Sequence, residues 1–483
     1  IAAADTTCWV RRMVHLYRPW NRGIHALYLS ADRTGYRSDW HNHDIGDRQR
    51  RTGGRHAQSL LLDDGRILFP GNVHGRSSDD PGYLQHLVAI QKSKGKACMS
   101  QAKGKGMKSS RIMNRRSFIG FAGASVLAVG AAAYSFSDRH SLERDDIKAA
   151  DENVGMMSPD EKEILYLASL APSGHNTQPW FVQYIEPYHW IIANDKTRWL
   201  PAVDPTQRET ILSIGAFLQN LEYAAGSFGY TCAWTLLATT NQDERIMEVK
   251  LTKTGGKSNF DREKIKTRRT VRSNYHRELI SKEDLDHIVG SEPDGFHYLP
   301  ADGKESQYVN EQTIEANRIQ AYRDPAQAEL ADWIRFSNQD AEKYCDGLTT
   351  ASMEINGIPG FLVRNFYSKD SAMSNDFRDQ GIDKVRSQVS QSAGWILLTS
   401  KDSSVATLLE SGRRLQRLLL RIRERNIAIH PMTQILEEQS TQQVLNDSIK
   451  INDPVQFILR TGYLDEYPMP VSLRRPVGWF LRK

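Results

Sequence analysis

Three stretches of this chain combine residue types that could hold a polar, anionic ligand. "APSGHNTQPW" (171–180) places Pro172, Ser173, Gly174, His175, Asn176 and Gln178 between two apolar runs. Ser173, Asn176 and Gln178 carry short uncharged donors and acceptors, suited to polar ligand atoms in a partly dry cleft. Gly174 lets the backbone approach a ligand closely. His175 could touch that ligand, and a structural hydrogen bond is an equal reading. "TRRTVRSNY" (267–275) carries Arg268, Arg269 and Arg272, and Arg474-Arg475-Pro476 lies near the C-terminus. Guanidinium forks grip phosphate through paired hydrogen bonds and keep their charge. Taken singly, each arginine cluster reads equally well as a solvated helix face. "NIAIHPMTQ" (426–434) adds His430, Pro431 and Met432.

Other chemistries are poorly served. Gly-x-Ser-x-Gly is missing, which argues against a serine hydrolase. Gly-x-Gly-x-x-Gly is missing too, so a nicotinamide would come as a diffusible substrate. No Cys-x-x-Cys occurs, and His41 and His43 have no third ligand at a convincing spacing, so no metal is expected. Cys232 and Cys345 read as free, buried thiols, with a single disulfide as the alternative. Asp204 and Arg208 in "DPTQRE" are expected to pair and fix the loop before a helix.

The elements that must position these residues point to an α+β fold. Ser158-Pro159-Asp160-Glu161 is a helix-start signal, and Pro172 ends that helix at the polar loop. "SIGAFLQNLEYAAGSFGYTCA" from Ser213 and "ESGRRLQRLLLRIRERNIAIH" from Glu410 match at Gly215/Gly412, Leu218/Leu415, Gln219/Gln416 and Leu221/Leu418. This reads as a duplicated helix–strand unit, with repeat one at about 158–255 and repeat two at about 262–483. Two tandem repeats would form an internal pseudo-dimer with a site at the seam, and the chain would be a monomer. Strands are predicted at 180–185, 190–194, 245–251, 394–400 and 454–463. Part of 305–345 and 347–380 is expected to cover the site.

The first 112 residues differ from the rest. Residues 1–91 contain no Lys and no Glu, and half of the 14 histidines precede residue 113. We read 1–112 as a mis-translated or disordered extension, with a fragmentary module as the alternative and a start near Met99, Met107 or Met113. This stretch has a net charge of +10 and the remainder −5, which argues against nucleic acid as a partner. Residues 113–137 then look like a twin-arginine signal or anchor: Arg115-Arg116 is followed by an uncharged run, residues 117–137. Export by that machinery to the periplasm or a membrane-anchored state is expected. It would carry a folded, cofactor-loaded protein.

Together these motifs resemble the nitroreductase-fold FMN-binding oxidoreductases, and within them the Acg-type, single-chain branch in which two repeats are fused. The resemblance spans roughly 158–478. It implies FMN as cofactor, held by the 172–178 loop, Arg268, Arg269, Arg272, Arg474 and Arg475. His430, Pro431 and Met432 would stand beside the reactive edge of the flavin. The usual glycine-rich form is absent there, which leaves substrate access open. The resemblance implies ping-pong electron transfer between a small-molecule donor, NAD(P)H among the candidates, and an acceptor. The alternative is a flavin-sequestering protein with little turnover.

Overall fold

The computed structural model describes residues 137–144 and 155–483. The 1–112 extension and all but the last residue of the 113–137 signal lie outside the described residues, as do 145–154.

Helix α1 (Pro159–Ser169) begins at the predicted cap. The Ser158 side chain accepts from the Glu161 N–H, and Glu161 returns the bond to the Ser158 N–H. It leads through the polar loop into β1 (Trp180–Glu186) and β2 (His189–Asn194), then α2 (Arg208–Ser227), β3 (Tyr230–Leu236) and β4 (Arg245–Lys253). These strands form one sheet in the order β3-β4-β2-β1. After β5 (Phe296–Pro300) come α3 (Lys304–Tyr322), α4 (Asp324–Trp333), α5 (Gly357–Phe366) and α6 (Asn375–Ser390). The chain continues with β6 (Gly394–Thr399), α7 (Val405–Arg421), β7 (Ile427–Pro431) and β8 (Val455–Tyr463). The second sheet runs β5-β6-β8-β7. Within each sheet these four strands pair antiparallel, and the two orders match when β3, β4, β2 and β1 are set against β7, β8, β6 and β5.

The C-terminal strand β9 (Leu481–Arg482) leaves the second half and pairs parallel with β1, Val182 opposite Leu481. Between the sheets α2 crosses α7. A Cβ on Gly215 would overlap the Leu409 carbonyl oxygen, and one on Gly412 would overlap the Leu212 carbonyl oxygen. Contact this close admits only hydrogen at both positions. Around the crossing, Phe217, Leu221, Leu408, Leu418 and strand residues of both sheets share one buried core. The outer face of the second sheet is also covered: Trp395, Leu397 and Ile458 pack against Val309 of α3 and Val385 and Val389 of α6. Burial on both faces explains why β6 is almost wholly apolar and why β8 is buried along nearly its whole length, Gln456, Arg460 and Thr461 included.

Two local expectations change. Asp204 does not pair with Arg208. Its Oδ2 accepts from the Glu209 and Thr210 N–H groups and caps α2, while Arg208 turns to Glu209 and to the Gln456 carbonyl. The 267–275 arginine motif lies after a five-residue helix, Glu263–Thr267, with Arg268 already extended. Both described cysteines are free, and only Cys345 is fully buried.

Gly412→Ala is expected to destabilise the protein by about 1–3 kcal/mol or more in denaturant unfolding, because the helix crossing must separate. Gly381→Ala, on an exposed stretch of α6 with open space around it, should be neutral or stabilising by up to about 1 kcal/mol. Equal effects at the two sites would remove the crossing from its controlling place.

Candidate functional site

A cavity of about 310 Å3 lies where the 172–175 loop, α2, α7, the arginine motif and the end of β7 converge. Leu212, Leu415 and Phe457 give it apolar walls. Asn317 and Gln320 of α3, with Leu330 and Leu348, form its roof. Both expected cover segments therefore contribute, through α3, α4 and Leu348.

The structure brings Pro172, Ser173, Gly174, His175, Arg272, His430 and Pro431 to this cavity. Asn176, Gln178, Arg268, Arg269, Met432, Arg474 and Arg475 stand behind its wall. His175, Asn176 and Gln178 all have positive φ (45°, 56° and 52°), a conformation that non-glycine residues hold only under constraint. Asn176 supplies part of that constraint by donating to the Gly347 and Leu473 carbonyls and accepting from Arg474 Nη1 at 2.7 Å. Gln178 donates to the Cys345 carbonyl and accepts from the Arg475 N–H.

The arginines read as phosphate contacts have a different use. Arg474 donates to the carbonyls of Ser169, Leu170 and Ala171, and Arg268 donates to Leu170. They cap the C-terminal end of α1, where carbonyls have no helical partner and the dipole favours cations. Arg475 holds the Gln178 and Trp180 carbonyls. Arg269 donates to the Met469 carbonyl and to Glu354, which also accepts from the Arg272 N–H. Met432 is core, its N–H bonded to the Ile458 carbonyl.

The cavity is electrically divided. Arg272 lines one part, anchored at the Ser352 carbonyl by 2.8 Å, with Arg460 and Lys384 behind His430. Burial, reinforced by Arg272, lowers the His175 imidazole to about 4. Burial and the three cations hold His430 well below the ordinary histidine range. Both rings are neutral at pH 7. The opposite part carries acids that the sequence reading did not single out. Thr433 Oγ1 lies 3.2 Å from Glu209 Oε1 and 2.8 Å from Glu437 Oε1. One hydroxyl proton serves only one carboxylate well, so the pair of contacts favours a proton on one of the two carboxyls. Glu437 is the better holder: burial, with Glu209 beside it, raises it to about 8, and Gln320 Nε2 donates to its other oxygen at 2.7 Å. Glu209 closes the "DPTQRE" stretch, where only Asp204 and Arg208 drew attention, and Glu437 belongs to no local motif, so no sequence signal paired the two.

Four buried polar atoms around the cavity have no hydrogen-bond partner among the described residues: His175 Nδ1, His430 Nδ1, Gln434 Oε1 and Asn317 Oδ1. Buried polar atoms are normally satisfied, and four orphans on side chains that line one space suit a ligand with mixed donors and acceptors on its edge. No group of three or more His, Cys, Asp or Glu among the described residues could hold a metal ion.

The protein named as the NAD(P)H nitroreductase Acg of Mycobacterium tuberculosis is 26% identical over 327 residues, 65% of this chain and 93% of its own length. The chain is a relative of the Acg-type nitroreductases. A second similar protein, named as the NAD(P)H nitroreductase PigM of Serratia, is 21% identical over 64% of this chain and 89% of its own. No protein-family model matches the chain. The solved FMN-dependent nitroreductase NfnB of Mycobacterium smegmatis, in complex with NADPH, aligns at 14% identity over 42% of this chain and 86% of its own, with a TM-score of 0.27. An overlap of that size adds nothing to the relationship in sequence.

Glu437 gives this Acg-type chain a defined pH signature. Its folded carboxyl titrates above the unfolded value of about 4.3, so the folded state binds more protons in between and stability falls as pH rises towards about 8. Asp204, raised to about 7 mainly by burial, acts in the same direction over a lower range. His175 acts oppositely, costing stability as pH falls from about 6.5 to about 4. Glu437→Gln should therefore flatten the loss of melting temperature between about pH 6.5 and about pH 8. The same slope in variant and parent would rule out a protonated Glu437.

Proposed function

We propose that this chain is an FMN-binding oxidoreductase of the nitroreductase type, exported by the twin-arginine route, that holds its flavin between two tandem repeats. One observation carries the reading. The 172–175 loop, Arg272 and His430-Pro431, far apart in sequence, meet at a cavity with four unpaired buried polar atoms. The matched strand orders and the reciprocal contacts at Gly215 and Gly412 support the tandem-repeat part, with a monomer as the working form. Bound in this cavity, FMN would supply ping-pong electron exchange, from NAD(P)H to a nitro, quinone or similar acceptor.

The chain's own residues fit that group. Arg272 is a fixed cation for its anionic portion. The neutral imidazoles of His175 and His430, with the Gln434 and Asn317 carbonyl oxygens, offer unpaired atoms to its polar edge. Leu212, Leu415 and Phe457 exclude water from its flat faces. Glu437 holds a proton at Oε1 or Oε2, and Thr433 connects it to Glu209 at the cavity wall.

The roof of Asn317, Gln320, Leu330 and Leu348, and the bond from Arg269 to Glu354, favour a second reading in which flavin is sequestered with little turnover. An absorbance spectrum of the isolated protein, followed by NADPH and a nitroaromatic without oxygen, separates the two. Bleaching with product supports the oxidoreductase. Bound flavin that resists reduction supports sequestration. Colourless protein that refuses FMN would end both. Arg272→Ala should weaken FMN binding about 10- to 100-fold, the worth of a lost charge-assisted contact. Arg269→Ala should act less, because that guanidinium is held by Glu354 and Met469. The reverse ranking would move the anion site to Arg269.

A further inference from the structure

Helix α5 presents an apolar face that the rest of the described structure leaves open. Ile358, Leu362 and Phe366 recur every fourth residue and are 64%, 41% and 55% exposed. That spacing aligns them along one side of the helix. The flank of the helix beside this row is used: Gly360 and Val363 are buried, and Val363 joins a small core with Ala331, Ile334 and Phe336. Exposed large side chains scattered singly need no explanation, but a row on one helix does. From Ile355 to Lys369 there is no acidic residue, and Arg364 and Lys369 are the only charged ones.

A second observation bears on what could cover this face. The short segment Ser137–Arg144 is strapped onto the same helix. The Asp138 N–H donates to Asn365 Oδ1 at 2.9 Å, and the Asp138 carbonyl accepts from Arg364 Nε and Asn365 Nδ2. Arg364 also holds the Arg139 carbonyl, and the Asn338 N–H donates to the Asp138 carboxylate. The uncharged run 117–137 ends immediately before Asp138. Four residues link Tyr134 to Asp138 and span at most about 14 Å. Any surface that accepts the apolar run must therefore come close to the last turn of α5, which carries Phe366.

We propose that α5 is a membrane-docking helix, whose Ile358, Leu362 and Phe366 side chains enter the interface of a phospholipid bilayer while the 137–144 strap fixes their orientation. A bilayer surface accepts an uncharged run and a neighbouring apolar helix face together, and α5 carries no acidic residue to repel anionic lipid. The docking is independent of the flavin reading, since none of the three side chains lines the cavity.

The test is partition of the full chain onto phosphatidylcholine–phosphatidylglycerol vesicles. The double variant Ile358→Asp/Phe366→Asp should lose at least about tenfold in partition, because two buried apolar side chains become charged. Leu236→Asp, an exposed apolar site on β3, should leave partition unchanged. All replaced side chains are solvent-exposed, and unchanged melting confirms intact folding. If the double variant does not fold, Leu362→Ser supplies the same comparison, with a smaller loss expected. Three results would overturn the proposal: no vesicle binding by the parent chain, equal partition of parent and variant, or a dimer that the double variant converts to monomer without altering partition. The last would assign the face to a second copy of the chain.

Discussion

The close crossing of α2 and α7 is the constraint on which the rest of the structure depends. Two helices can approach this tightly only if each offers hydrogen where the other offers a backbone carbonyl, and Gly215 and Gly412 do so reciprocally. The approach merges the inner faces of both sheets into one core. It also sets Glu209, Leu212, Ser213 and Ala216 of α2 opposite Leu415 of α7, which creates the cavity between the halves rather than within either. Polar groups are carried through the crossing in pairs: Gln416 Nε2 donates to Asn220 Oδ1 at 2.7 Å, and Arg417 Nη1 to Gln219 Oε1 at 2.6 Å. Such directional polar pairs disfavour slippage of the two helices, although Gln416 Oε1 itself is left without a partner among the described residues.

The second layer of control is the use of buried guanidinium groups as scaffolding. Arg268, Arg474 and Arg475 are almost completely buried and face backbone carbonyls rather than carboxylates. Burial lowers Arg475 to about 9 and Arg268 to about 10, a measure of the desolvation that these contacts must offset. In return they satisfy the end of α1 and hold the 172–178 loop in its left-handed turn. The loop is thus shaped from behind, which leaves its front free for a ligand.

The cavity combines two kinds of control over charge. Burial, reinforced by Arg272, Arg460 and Lys384, keeps His430 neutral, while burial and mutual repulsion keep a proton on the Glu209–Thr433–Glu437 group. A space with a fixed cation at one part and a stored proton at another can bind an anion and still supply a proton. That is a physical description of the site, and it stands whichever ligand fills it.

Sequence by itself determined the local structure and much of the meeting place. The α1 cap and the strands at 180–186, 189–194, 245–253, 394–399 and 455–463 follow from short-range rules, capping and apolar periodicity, whereas the matched Gly215 and Gly412 gave no hint of the crossing they form. The 172–175 loop, Arg272 and His430-Pro431 were also legible as candidates, because their side-chain chemistry is intrinsic. Strands β5 and β9 were not assigned, and β3 and β7 only as the β-like ends of the two matched helix–strand stretches, since each gains its bounds from pairing with another strand. Only the tertiary structure decided which arginines face the cavity. A guanidinium goes to whichever acceptor is left unpaired nearby, and for Arg474 those are the carbonyls ending α1, about three hundred residues earlier. The same holds for Glu209 and Glu437: a carboxyl acquires its unusual protonation only when folding removes its water and brings a second carboxyl to the same hydroxyl.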